Sequence, residues 1–87
     1  MVKDNNLNEW LNQMLNLGES FTFEEGKIVE NKEHFEPWIN KAKEFLLVNK
    51  YLSEDKVTKK FYHNDESYYS LLSGYLTKIY LRNSNIL

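Results

Sequence analysis

Eighty-seven residues with a formal charge of −2, 41% apolar and 15% aromatic, with no cysteine, are enough for one small domain, 1–87. A chain of this length buries only about 60–65% of the surface its unfolded form exposes, so its core must lean on large rings, with no disulfide to help. The acidic balance speaks against a generic polyanion binder. The longest apolar run is "FLLV" (45–48), and the start "MVKDNNLNEW" lacks an apolar block, so neither a membrane span nor a secretory leader is expected and the chain reads as cytoplasmic.

The first periodic stretch is "NLNEWLNQMLNLG". Leu7, Trp10, Leu11 and Met14 follow i, i+3, i+4, i+7 spacing, which places them on one face of a helix over 5–17. Asp4 or Asn5 serves as N-cap, and Gly18 is expected as a left-handed stop. The following "ESFTFEEGKIVENKEHFE" supports two readings. In one, Phe21 and Phe23 alternate, Glu25-Gly26 turns and Ile28 begins a return strand. In the other, Thr22 and Glu25 form a capping box that opens a helix, although Gly26 costs such a helix about 1 kcal/mol.

"FEPWINKAKEFLLVNKYL" predicts a helix over 36–49, with Pro37 in its first turn. Trp38, Ile39, Ala42, Phe45 and Leu46 form its apolar stripe; Leu47 and Val48 fall off that stripe, so the helix end should be covered from a second direction. Next, Val57, Lys59 and Phe61 alternate with Thr58, Lys60 and Tyr62 after "SED", which predicts a hairpin over 50–63. The last helix is expected over 65–82, capped by Asn64 or Asp65. Nine of the fourteen residues between 68 and 81 are Tyr, Leu or Ile, so this helix belongs at the centre of the core or against another chain, as in a homodimer through 65–82. Gly74 is expected where a backbone approaches closely.

The element order carried by "GESFTFEE", "PWINKAKEFLLVNKYL" and "SEDKVTKKFYH" resembles the winged helix-turn-helix superfamily over residues 5–63, with 65–82 appended. The fold class expected is mainly α with a small β-hairpin (α+β), winged-helix-like; a compact helical bundle with two hairpins is the alternative. The resemblance implies DNA binding, with helix 36–49 toward the major groove and wing lysines on phosphates. No arginine stands in this region for bidentate guanine contacts.

Charge distribution gives that implication its residues. Residues 1–39 hold three lysines against eight acids, whereas 40–63 hold six lysines against three. Asn40, Lys41, Lys43, Lys50, Lys56, Lys59 and Lys60 are therefore the candidate nucleic-acid contacts, and Glu44 among them opposes phosphate. The bland alternative is a solvated face, with lysines guarding a hairpin edge. Tyrosines offer a different surface: Tyr69 and Tyr80 are candidate anchors for a protein partner, since rings dominate binding hot spots.

Catalytic and metal chemistry find no support in the pattern. His34 and His63 lack partners at ligand spacing, the adjacent acids sit at turns and helix starts, and Ser70 and Ser73 have no base. The sequence thus predicts a non-enzymatic binding protein without cofactor or metal. DNA is the leading partner, in a regulator or mobile-element factor, and a protein target reached through the Tyr-rich last helix is the alternative.

Overall fold

The computed structural model describes residues 5–53 and 64–84. Their elements are α1 (Asn5–Gly18), β1 (Thr22–Glu24), β2 (Lys27–Glu30), α2 (Lys32–Val48) and α3 (Asp65–Ser84). The architecture is mainly helical with a two-stranded antiparallel hairpin, an α+β fold as expected. Among the described residues no helix is long and apolar enough to cross a membrane.

The stretch with two readings is a hairpin. Glu25 and Gly26 have φ of 51° and 82°, the double positive φ of a type I′ turn, whose twist suits a two-residue hairpin. Thr22 therefore lies in a strand and caps no helix. Phe23 pairs with Ile28 and Thr22 with Glu30, so Val29 is the extra residue of a β-bulge. A helix-turn-helix needs a scaffold helix between a strand and the recognition helix. Here β2 fills that place and leads directly into α2.

Tertiary contacts decide the hairpin. The Glu66 N–H donates to the Gly26 carbonyl at 3.0 Å, and the Ile28 N–H donates to Asp65 Oδ2 at 3.1 Å. Asn64 caps α3 by accepting from the Ser67 N–H at 2.8 Å. A Cβ on Gly26 would overlap the Asn64 amide, so glycine is needed there for both space and φ. The turn is thereby latched to the first turn of α3.

Helix α2 begins at Lys32, about one turn ahead of expectation, because Asn31 takes a left-handed conformation (φ 59°) that ends the hairpin. Asn31 Nδ2 donates to Ser20 Oγ at 2.8 Å, which fixes this corner. Pro37 consequently lies inside the helix and not in its first turn; it leaves the exposed Glu33 carbonyl without its usual i+4 donor. At the other end, the Tyr51 N–H reaches the Leu46 carbonyl at 2.9 Å and the Lys50 N–H reaches Leu47 at 3.1 Å, with Lys50 at φ 61°. This is a Schellman stop with lysine where glycine is usual, and Tyr51 stacks on Phe45 to complete it.

Ring and side-chain contacts set the helix directions. Asn83 Nδ2 donates to Asn8 Oδ1 at 2.6 Å, and Gly18 faces Tyr69, so α1 and α3 run antiparallel. Trp38 Nε1 donates to the Met14 carbonyl at 2.7 Å and Phe45 lies 4.9 Å from Trp10, so α2 is antiparallel to α1 as well. Hence α2 and α3 are parallel. Between them Leu11, Trp38, Leu46, Leu72 and Leu76 are almost wholly buried. The apolar last helix is thus central, with Tyr68, Leu72, Leu76 and Ile79 inward within its own chain.

Gly18 differs from expectation. It is the last residue of α1 and does not have a positive φ; its service is space, since a Cβ there would stand 2.6 Å from Tyr69 Oη. Gly74 is exposed, and nothing lies within 4 Å of where its Cβ would be, so the close approach expected there is not made within the chain.

Candidate functional site

Helical geometry separates the lysines. Residues two apart on a helix are about 200° apart around its axis, so Lys41 and Lys43 take opposite flanks of α2. Lys41 shares its flank with Phe45 and Val48, and Phe45 touches Trp10 of α1. Lys43 shares the other flank with Asn40 and Leu47, toward α3. Asn40, Lys41 and Lys50 are exposed and Lys43 is half-buried. Lys56, Lys59 and Lys60, with most of the 50–63 hairpin expected to carry them, lie outside the described residues.

The tyrosines are placed differently from one another. Tyr69 sits half-buried in a cluster of rings, 5.8 Å from Phe21, 5.5 Å from Phe23 and 5.0 Å from Trp38. Burial pushes its phenol above the ordinary value; a hydrogen bond with the Ser73 side chain opposes the shift and the nearby Glu19 charge adds to it. Tyr80 is half-buried against the core. Both rings are therefore structural in large part.

A groove opens instead where α2 ends beside α3. Leu47, Lys50, Tyr51, Leu52, Ser53 and Tyr75 line a volume of about 410 Å³. Tyr51 stands exposed at its α2 end (42%), while the more exposed Val48 (70%) belongs to the Lys41 flank and does not line it. The Schellman stop builds this place: it turns the chain at Lys50, presents Tyr51 outward and drives Leu52 into the core. The α3 wall repeats at i, i+4, i+7 and i+11, so Leu71, Tyr75, Lys78 and Arg82 share one face.

The sequence held a partial signal for this groove, because Leu47 and Val48 fall off the α2 stripe. Leu47 is indeed packed from a second direction, whereas Val48 stays exposed. Tyr75 carried no such signal, since its partner is on another helix. Among the described residues no group of three His, Asp or Glu side chains gathers to hold a metal; His34 meets Glu33 at 3.8 Å, both exposed.

Comparison with protein-family models, curated proteins and solved structures finds no match.

Proposed function

We propose that this chain is a small, non-enzymatic protein-binding domain of the cytoplasm, and that its contact surface is the α2–α3 groove with the exposed Tyr51 at its rim. One observation carries the reading: an exposed aromatic side chain, Tyr51 at 42%, lines an open groove whose other wall is a second tyrosine, Tyr75. Such an open, aromatic-lined groove is where interface hot spots form, since a partner's apolar side chain entering it sheds water on the side that faces the walls. The lack of cysteine is in keeping with a reducing compartment.

The nucleic-acid reading has less behind it. Lys41 and Lys43 diverge, Glu44 lies on the solvent face between them, and β2 occupies the place of a scaffold helix. A continuous phosphate track along α2 would have to pass Glu44, whose charge opposes it. The test is photo-crosslinking in cells from a benzophenone side chain at Ser53, an exposed residue that lines the groove, with Glu24 on the hairpin as the control position. A protein adduct of defined mass is expected from position 53, absent from position 24 and lost when Leu47 is replaced by Asp. Adducts with nucleic acid, or none at all, would reject the assignment.

A further inference from the structure

We infer that the groove takes an acidic polypeptide segment carrying an apolar anchor; this rests on the protein-binding reading above. The parallel run of α2 and α3 brings both N-termini to the hairpin end and both C-termini to the groove end. Charge divides accordingly. Six acids, Glu24, Glu25, Glu30, Glu33, Asp65 and Glu66, lie on the hairpin and on the first turns of the two helices, against two lysines, Lys27 and Lys32. At the groove end the cations gather: Lys50 lines the groove, Lys43 is one turn before Leu47, and Lys78 and Arg82 share the Tyr75 face of α3.

Leu47 and Tyr75 give the groove apolar walls, Lys50 and Ser53 give it a polar edge, and Lys43, Lys78 and Arg82 stand around it. A segment with an apolar side chain for the Leu47–Tyr75 walls and carboxylates on either side meets both features at once. Its separated carboxylates can be spaced around Glu44, which a continuous phosphodiester cannot do without repulsion. Its approach is steered by the charge polarity of the described residues, whose net acidic hairpin end repels it. A basic segment would be drawn to the wrong end.

The probe is a fluorescein-labelled amphipathic peptide with Leu and Phe at helical spacing and Glu between them, compared with its all-Gln and all-Lys twins by anisotropy on the full chain. Binding is expected in the order Glu, Gln, Lys, with about tenfold or more between the extremes and weakening with salt. The double variant K50E/K78E, at two exposed positions, should reverse the order while keeping its circular dichroism. Equal binding of the Glu and Gln peptides overturns the acidic preference but leaves the groove as a docking site. If no peptide binds while position 53 still crosslinks to a protein, the acidic inference alone fails; if crosslinking is also empty, both readings fail. Tighter binding of single-stranded or duplex DNA than of the Glu peptide overturns the inference in favour of nucleic acid. Concentration-dependent self-association of the wild type that K50E/K78E removes would assign the face to a second copy and overturn it likewise.

Discussion

Replacing Tyr69 by alanine separates a partner anchor from a core residue. The ring lies over Gly18, whose absent Cβ would come within 2.6 Å of its hydroxyl, and it contacts Phe21, Phe23 and Trp38 at centroid distances of 5.0–5.8 Å. A fully buried Phe→Ala change costs about 3–5 kcal/mol, and half burial brings that to about 2. Loss of three ring contacts, each worth roughly 0.5–1.5 kcal/mol and partly overlapping with the burial term, raises the total to about 3 kcal/mol. A domain of this size has only about 4–13 kcal/mol in all, and 1 kcal/mol moves Tm by roughly 4–8 °C. Tyr69→Ala should therefore lower Tm by about 12–24 °C in a near-ultraviolet dichroism melt. Tyr80→Ala, half-buried and outside the ring cluster, should cost about 1 kcal/mol. Adding Gly18→Ala to Tyr69→Ala should recover stability, because the vacated space accepts the methyl and alanine favours helix by about 1 kcal/mol. A Tyr69→Ala melt within about 3 °C of wild type would refute the placement of this ring.

Other outcomes follow from particular backbone and titration features. Lys50→Gly should raise stability by about 1 kcal/mol in urea unfolding, since φ 61° is strained for lysine; a lower midpoint would contradict the Schellman stop. Gly26→Ala should destabilise by about 2 kcal/mol or more through both its φ and the Asn64 amide, read from the same assay. Asn64→Ala should cost about 1 kcal/mol from the lost cap, seen as earlier melting and faster amide exchange at the start of α3. The phenol of Tyr69 is raised from its ordinary 10.0 in the folded state, so the unfolded chain gives up that proton first as pH increases. Its contribution is whole below about pH 10 and is lost as pH climbs from there through the folded value. Urea midpoints between about pH 8 and about pH 11 should fall more for wild type than for Tyr69→Phe, and parallel curves would exclude the linkage.

Much of the fold was legible in local pattern. The spacing of Leu7, Trp10, Leu11 and Met14 places α1 to within one residue at its end, and the capped, apolar run after Asn64 places α3. The separation of Lys41 from Lys43 was also present in the sequence, since a helical period puts residues two apart on opposite flanks. The start of α2 was not, because it depends on Asn31 adopting a left-handed conformation held by Ser20. The candidate groove was legible only as an oddity, with Leu47 and Val48 off their stripe.

Local periodicity, caps and turn residues by themselves determined that this chain has helices at its two ends and in its middle, and which side of each is apolar. Residues 20–35 satisfied two local codes almost equally. The choice fell to hydrogen bonds between Gly26 and Glu66 and between Ile28 and Asp65, partners that stand far apart in the chain. Tertiary structure alone likewise brought Leu47 to Tyr75 and gave Gly18 its role beneath Tyr69. The physical reason is the same in each case: these are contacts between elements, whose energy appears only when the helices have packed.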